Sequence, residues 1–400
     1  MVSTSSCSSP WLTLPPTFPE EEGGDTTYNL YSLADDKVLR FPGQVKRGKY
    51  DLRSHKSDVV GSSHGWLVHL NQNRGVLFLS NPISRRLIEL PPIHFLPDPE
   101  TQSRYSQFRI SKLVLSSSPD DKDCRAMISF GPGDRLAFCS PRTSMEWIPI
   151  GISDVTPSVR CYRRYQDFVP LPNSHHLFTS VTDLYLDVWD VKEPRSPRLA
   201  MIGSTDDEDT YPWPDRSEED TELKSSCVQL KYLVLFSDDQ LFLVVRHVVE
   251  RMVPDGSPIK TGYYCDYDPD PDNKDYPYKT IGFDVYRVDR KDGLAGKWNL
   301  SYMDGCLDGL AMFVGTNHSF ALPAVEFPEL KPDAIYFADD PEFTPPSCLE
   351  RSYGGHDVGI FDYRNSTISP CCGYPCDYRS IQRIDPPPMW FTPSPTQLSK

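Results

Sequence analysis

The sequence predicts an all-β fold: a β-propeller of about six or seven four-stranded blades with acidic loop insertions. Short apolar runs alternate with turn residues along the chain, the pattern expected for strands and tight connections. Prolines make up 39 of the 400 residues and recur between these runs, which disfavours long helices. Two successive stretches, 59–92 and 107–150, each divide into four such runs, the size of one propeller blade.

The first predicted blade lies in residues 59–92. Its four strands are predicted at 59–60, 66–70, 76–80 and 87–90, where β-branched and large apolar residues concentrate. Glycines and an Asn-Pro pair separate these runs. The same logic predicts a second blade over 107–150 and a third over about 167–191, and further strands follow from residue 227 onward.

Two polar insertions interrupt the strand pattern, at about 204–222 and 254–278. The first holds nine acidic residues and one arginine, a composition that buries too little apolar surface to order itself. We therefore predict a mobile acidic loop there. Tyr211 and Trp213 lie inside it and are candidate partner-contact residues, because exposed Tyr and Trp often anchor protein interfaces.

Several motifs occur along the chain in a fixed order. They are GSSHGWLV (61–68), LSNPIS (79–84), IELPP (88–92), DAIYFADD (333–340), DVGIFD (357–362) and PPPMWF (386–391). Taken together they resemble the plant F-box-associated β-propeller family, whose domain is called KIB-type, over roughly residues 10–395. The motif positions, to which we assign structural roles, are Gly61, Gly65, Trp66, Asn81, Pro82, Leu90, Pro91, Ile335, Tyr336, Phe337, Asp357, Gly359, Phe361 and Asp362.

The resemblance implies a role in substrate selection by Skp1-cullin-F-box ubiquitin ligases. Members of the family commonly carry an F-box, a helical segment that docks on the Skp1 adaptor, ahead of the propeller. Residues 1–27 are rich in Pro and Ser and lack a helical apolar period, so we expect no F-box there and a single propeller domain over 28–395. We therefore expect a non-catalytic interaction module with an unidentified protein client and without Skp1 binding.

Bulk properties exclude several classes of partner. A net charge of −15 disfavours binding to nucleic acid or to anionic membranes. No apolar run approaches the length needed to span a bilayer, and no signal peptide is recognisable. With 11 cysteines and no export signal, reduced thiols in the cytoplasm, the nucleus or both are expected. Organellar import remains an alternative because the N-terminus is Ser-rich, although acidic residues precede the first basic one, Lys37.

Metal and cofactor sites are not predicted. Cys371, Cys372 and Cys376, with His356 upstream, could supply a tetrahedral zinc site, but adjacent cysteines rarely point at one metal, and a Cys-rich turn is the favoured interpretation. The alternating carboxylates of 266–272 resemble a calcium loop but lack its glycine and its downstream glutamate.

Two segments match catalytic or phosphate-binding sequence patterns but lack features that those sites require, so no catalytic residue is predicted. Residues 61–65 fit G-x-S-x-G around Ser63, yet a strand follows where the hydrolase motif needs a helix. Residues 43–50 approach a phosphate-binding loop, but Tyr50 replaces the required hydroxyl residue. Two alternatives stay open: a propeller hydrolase or lyase with carboxylates and histidines around its central channel, and an organelle-targeted relative with a structural or stress role.

Overall fold

The computed structural model describes residues 9–17, 27–43, 57–71, 74–96, 110–131, 135–150, 164–171, 174–193, 195–204, 217–237, 240–249, 278–290, 298–340, 356–374, 384 and 386–393. Within these residues, β-strands dominate and form sheets that are arranged as blades. The predicted all-β propeller is confirmed.

Strands are numbered in chain order. Blade 1 holds β1 (Trp11–Thr17), β2 (Thr27–Ser32), β3 (Lys37–Pro42) and, from the far end of the chain, β25 (Trp390–Phe391). Blade 2 holds β4 (Ser57–Ser63), β5 (Trp66–Asn71), β6 (Val76–Asn81) and β7 (Arg86–Pro92). Blade 3 holds β8 (Ile110–Leu115), β9 (Ala126–Phe130), β10 (Arg135–Cys139) and β11 (Ile148–Ile150). Blade 4 holds β12 (Asp167–Pro170), β13 (Leu177–Val181), β14 (Tyr185–Asp190) and β15 (Arg198–Ser204).

A nine-stranded sheet contains the other two blades. Blade 5 holds β16 (Val228–Phe236), β17 (Gln240–Val249), β18 (Lys279–Arg290) and β19 (Trp298–Tyr302). Blade 6 holds β20 (Leu310–Val314), β21 (Phe320–Pro323), β22 (Ala334–Phe337), β23 (Gly359–Asp362) and β24 (Thr367–Ser369). One parallel residue pair, Leu235 with Phe320, joins the two blades. They therefore count as separate units, and the described strands make six blades.

The two ends of the chain close the ring in blade 1. Trp11 pairs with Phe391 and Leu12 pairs with Trp390 in an antiparallel ladder. All four side chains are buried. The sheet that closes the ring therefore begins at Trp11, earlier in the chain than the expected domain boundary at residue 28. The pairing of β1 with β25 completes this sheet.

Apolar clusters fill all six junctions between neighbouring blades in the described part of the chain. Each cluster contains residues from both blades, for example Leu30 and Leu67, Trp66 and Leu113, Phe138 and Phe178, Leu186 and Leu243, Val285 and Ile335, and Phe313 and Trp390. Because side chains alternate across a strand, Trp11 faces blade 2 while its neighbour Leu12 faces blade 6. Blades buried on both faces explain why strands such as β6 read as almost continuous apolar runs.

Blade 6 departs from the plain four-stranded order. Its strands β20 and β22 run parallel, with Met312 opposite Ile335, while β20 and β21 form an antiparallel hairpin. The turn of this hairpin, residues 315–319, contacts β4, β8 and β12, the first strands of blades 2, 3 and 4.

The predicted modules at 59–92 and 107–150 correspond to blades 2 and 3, and the third module corresponds to blade 4. The first acidic insertion differs in part from the predicted mobile loop, since Glu218–Ser225 form a helix, α1. Ser217 caps this helix by accepting a hydrogen bond from the Asp220 backbone, and its acidic first turn suits the positive end of the helix dipole. The described residues include no helix long and apolar enough to cross a membrane.

Candidate functional site

The centre of the ring is occupied by the turn at 315–319. The backbone N–H of His318 donates to the Ser62 carbonyl at 2.8 Å. A Cβ atom on Gly61 would lie 3.2 Å from the carbonyl oxygen of Thr316, tighter than ordinary van der Waals contact. Gly61 therefore allows the inner strand of blade 2 to approach this turn.

A buried ion pair lies beside the turn. Lys112 Nζ is 2.7 Å from Asp167 Oδ1, and neither side chain is more than 5% exposed. The other carboxylate oxygen accepts from the Leu233 N–H at 3.0 Å and from the Ser319 hydroxyl at 3.2 Å. Lys112 also reaches the Gly315 carbonyl at 3.4 Å. Burial raises the pKa of Asp167, and the Lys112 charge acts in the opposite direction.

Arg246 forms a second buried centre between blades 5 and 6. Its guanidinium donates to Thr280 Oγ1 at 2.7 Å and to the Ala338 carbonyl at 2.7 Å. It also donates to Asp357 Oδ2 at 2.8 Å and to the Tyr232 hydroxyl at 3.4 Å. Since Arg246 is completely buried, these partners compensate for the loss of water around its charge. The side chain thereby links two strands of blade 5 to blade 6.

A carboxyl with an altered pKa lies next to this centre. Asp339 is 1% exposed, and burial raises its pKa to about 6. One of its oxygens accepts from the Tyr278 hydroxyl at 2.6 Å and the other from the Asp340 N–H at 3.0 Å. The Tyr278 carbonyl in turn contacts His356 Nε2 at 3.0 Å. Both carboxyl oxygens of Asp339 therefore have partners inside the protein.

Two histidines meet at a serine where the inner strand of blade 2 ends. Ser63 Oγ lies 3.0 Å from His64 Nδ1 and 3.2 Å from His318 Nδ1, and it accepts from the Leu115 N–H at 3.1 Å. The two imidazole centroids are 5.3 Å apart. His64 is exposed, yet the dense protein around it lowers its pKa to about 4. Burial also lowers the pKa of His318. Both rings are therefore neutral near pH 7.

Ser63 does not have the setting of a hydrolase nucleophile. It lies at the end of β4, and the two-residue turn of His64 and Gly65 leads directly into β5. A two-residue turn between antiparallel strands therefore stands where the hydrolase motif needs a strand-to-helix turn. Residues 44–50, which include most of the segment resembling a phosphate-binding loop, and the carboxylate run at 266–272 lie outside the described residues.

The motif positions of blade 2 occupy its turns and core. Asn81 Nδ2 donates to the Gly65 carbonyl at 2.8 Å, which ties two turns together, and Pro82 follows in the second turn. Trp66 and Leu90 are buried in the cluster between blades 2 and 3. The carbonyl of Pro91 accepts a hydrogen bond from the Trp147 indole N–H at 2.7 Å.

The motif positions of blade 6 fill its two faces. In β22, Ile335 and Phe337 face blade 5 while Tyr336 faces blade 1. Phe361 joins the cluster with blade 5, and a Cβ on Gly359 would lie only 2.7 Å from the Phe337 ring.

The two aspartates of the motif DVGIFD (357–362) accept hydrogen bonds from other residues. Asp357 accepts from Arg246, as described above, and Asp362 accepts from the Asn365 N–H at 3.0 Å. Tyr211 and Trp213, the candidate partner contacts, lie outside the described residues and stay a prediction.

Of the cysteines considered for zinc, the two that the structure describes, Cys371 and Cys372, do not form a group with His356. Cys371 and Cys372 have sulfur atoms 3.0 Å apart, and Cys371 packs between blades 6 and 1. His356 instead packs on Tyr278, while Cys376 lies outside the described residues. The described residues hold no group of three or more His, Cys, Asp or Glu side chains placed for a metal ion.

The buried polar centres were not identified from the sequence. Ser63 and His318 are 255 positions apart, and Arg246 and Asp357 are 111 apart. The sequence held only weak indications of these centres. His64 stands before Gly65 where a turn usually has asparagine, and the apolar strands β8 and β17 contain the charged residues Lys112 and Arg246.

Comparison with known proteins identifies the family. The KIB1-4 beta-propeller family model matches residues 30–362, and the chain belongs to this family. No curated protein matches the chain significantly.

Among solved structures, a DUF4221 family member from Bacteroides vulgatus shares 10% identity over 98% of this chain and 93% of that one, with a TM-score of 0.36. Hsv2 of Kluyveromyces lactis shares 11% identity over 73% of this chain and 72% of that one, with a TM-score of 0.30. The N-terminal domain of Nup159 shares 8% identity over 76% and 70%, with a TM-score of 0.31. Similarities this low carry no argument about function.

Proposed function

We propose that this chain is a non-catalytic protein-recognition module that selects a client protein. Membership of the KIB1-4 beta-propeller family supports the proposal. One observation supports a role without catalysis: the members of the two buried ion pairs described above bind each other within the ring. The charges of Lys112 and Asp167 pair with each other, as do those of Arg246 and Asp357. Such groups hold strands together and are not free to act on a substrate.

Recognition is assigned to the loops. The six blades pack on one another through both faces, so the sheet faces are not available to a partner. Loops that a rigid scaffold positions are common sites of binding. Clients are therefore expected to contact the connections between strands at the two ends of the ring.

A relation to ubiquitin ligases is also proposed. Through its family, the module is proposed to be related to the substrate receptors of Skp1-cullin-F-box ligases and to bind its client without Skp1. We also propose that it acts in the cytoplasm, the nucleus or both, which a fluorescent fusion with the native N-terminus tests directly. Accumulation of that fusion in an organelle would contradict this assignment.

The test is affinity purification of the tagged 400-residue chain from plant cells, followed by mass spectrometry. A client should co-purify in stoichiometric amount, and the recombinant client should then bind the purified chain directly. Enrichment of Skp1 and cullin would overturn the Skp1-free part. Failure of every enriched protein to bind directly would overturn the recognition function.

For the alternative of an enzyme, Asp339 is the candidate proton donor or acceptor, because its pKa is raised. Its two oxygens, however, accept from Tyr278 and Asp340, so its position does not favour proton transfer to a substrate.

A further inference from the structure

The turn between β4 and β5 has an unusual residue. His64 has φ 51° and Gly65 has φ 79°, so both central residues of this two-residue hairpin loop are left-handed, as a type I′ turn requires. Asn or Asp followed by Gly is the preferred pair for this turn. Histidine also tolerates a left-handed backbone, so the turn can form with His64 at this position. Unlike asparagine, His64 brings an imidazole ring with two nitrogens that can donate or accept hydrogen bonds.

The hydroxyl of Ser63 fixes the protonation of both histidines. A serine hydroxyl offers one hydrogen and two lone pairs. The Leu115 N–H takes one lone pair. The hydroxyl then donates its hydrogen to one Nδ1 and accepts from the N–H at the other Nδ1. His64 and His318 therefore hold opposite tautomers, one protonated at Nδ1 and the other at Nε2.

The far sides of the two rings thus present different groups. One Nε2 carries a hydrogen and donates, while the other carries a lone pair and accepts. Neither Nε2 has a hydrogen-bond partner among the described residues. His64 is exposed and His318 is half-buried, so a ligand can reach the pair from solvent.

We propose that His64 and His318 form a binding site for a carboxamide group, the side chain of an Asn or Gln residue of the client protein. A carboxamide offers an acceptor oxygen and a donor nitrogen side by side, which matches one donating and one accepting Nε2. The inference rests on the proposed function and names the chemistry of its partner. It adds a site that the sequence motifs did not indicate.

The same accounting disfavours a metal ion at this pair. A metal would need the lone pair of both Nε2 atoms, and hence hydrogens on both Nδ1 atoms. Ser63 Oγ would then have to accept three hydrogen bonds, including the one from Leu115, with only two lone pairs. A carboxylate ligand is also disfavoured, because it only accepts and would face the lone pair of one imidazole.

The tautomers can be tested without a client. With ¹⁵N-labelled histidine, long-range ¹H–¹⁵N spectra of the full chain distinguish the two tautomers, and the variants His64→Asn and His318→Asn assign the signals. We expect one Nδ1–H and one Nε2–H ring at pH 7. Identical tautomers at the two positions would overturn the inference.

Binding is tested with small probes followed by the same histidine signals. N-acetylasparagine N-methylamide should shift both signals saturably. N-acetylalanine N-methylamide keeps the two secondary backbone amides, whose trans geometry points the oxygen and the N–H in opposite directions, and has no primary carboxamide. It should bind at least about tenfold more weakly, a difference of about 1.4 kcal/mol. The variant His64→Asn keeps a favoured turn residue and should stay folded, but it should lose this discrimination. Equal responses to the two probes, or tight binding of Zn²⁺ by the pair, would overturn the assignment.

The outcomes also separate this site from the recognition function as a whole. If the client binds wild type and His64→Asn equally, the carboxamide site is wrong while the recognition function stands. If no client binds wild type, the recognition function itself is wrong, whatever the histidine spectra show.

Discussion

Lys112 and Asp167 form an ion pair of 2.7 Å at the centre of the ring, where neither side chain is more than 5% exposed. The two residues belong to blades 3 and 4, and Asp167 also accepts from the inner strand of blade 5. A single carboxylate therefore fixes the relative positions of three blades. A charged pair in so dry a place is costly to break, because the remaining partner is left buried and unpaired.

Removal of one partner should therefore destabilise the fold strongly. Lys112→Met leaves the Asp167 carboxylate buried without its cation, and we expect a loss of about 3–5 kcal/mol in the free energy of unfolding. The matched control is Lys37→Met, which breaks an exposed pair with Asp35 and should cost no more than about 1 kcal/mol. Urea unfolding of both variants checks this, and similar losses in the two would contradict the assigned role of the buried pair.

The raised pKa of Asp339 should make stability depend on pH. Its folded pKa of about 6 exceeds the ordinary value of 3.8, so the folded state holds a proton that the unfolded state releases between these values. The contribution of this group to stability is thus largest below pH 4 and declines until the pH passes about 6. The variant Asp339→Asn cannot ionise. Relative to it, wild type should lose on the order of 2–3 kcal/mol between pH 4 and pH 8.

Urea unfolding of wild type and Asp339→Asn at a series of pH values measures this difference. Curves that stay parallel across the range would show that Asp339 does not titrate as the structure indicates.

Two glycines in neighbouring blades offer a matched test of packing. A Cβ on Gly359 would lie 2.7 Å from Phe337 Cζ and 3.3 Å from the Ile368 side chain, so Gly359→Ala should cost about 1–3 kcal/mol through overpacking. A Cβ on Gly282 would meet only the flexible Lys224 side chain at 3.7 Å. Gly282→Ala should therefore be neutral or slightly stabilising, since it also restricts the unfolded chain. Thermal unfolding compares the two, and a reversed order would contradict the packing of blade 6.

Ring closure should depend on Trp390. Its side chain is completely buried between blades 1 and 6, and its strand pairs with β1 through only two residue pairs. Trp390→Ala should cost about 3–5 kcal/mol and should accelerate amide hydrogen exchange in Trp11–Thr17 more than elsewhere. Met145→Ala, at an 88% exposed position, serves as the control. Unchanged exchange in β1 would show that the two chain ends do not close the ring as described.

The fold could be predicted from the sequence wherever a blade is continuous along the chain. Blades 2 and 3 were placed correctly because their four strands follow one another, joined by short turns and buried on both faces. Blade 1 was not predicted, since β1 finds its partner β25 at the opposite end of the chain. The strand order of blade 6 could not be predicted, because β20 pairs in parallel with β22 although β21 lies between them in the sequence.

The candidate site could not be predicted, because its residues are far apart in the sequence and come together only in the folded chain. The motif glycines indicated a turn within 61–65; β4 in fact extends to Ser63, and the turn consists only of His64 and Gly65. Nothing near it in the sequence points to His318, which lies 255 positions from Ser63. The pairing arises only when the 315–319 turn enters the ring.

We propose that this chain recognises a client protein and has no catalytic role. Calorimetric titration of the purified client into wild type, His64→Asn and the Lys37→Met control tests it most directly. We expect saturable binding to wild type and to the control, with affinity reduced at least about tenfold for His64→Asn, which corresponds to about 1.4 kcal/mol. Absence of saturable binding to wild type, or chemical conversion of the client during the titration, would contradict the claim.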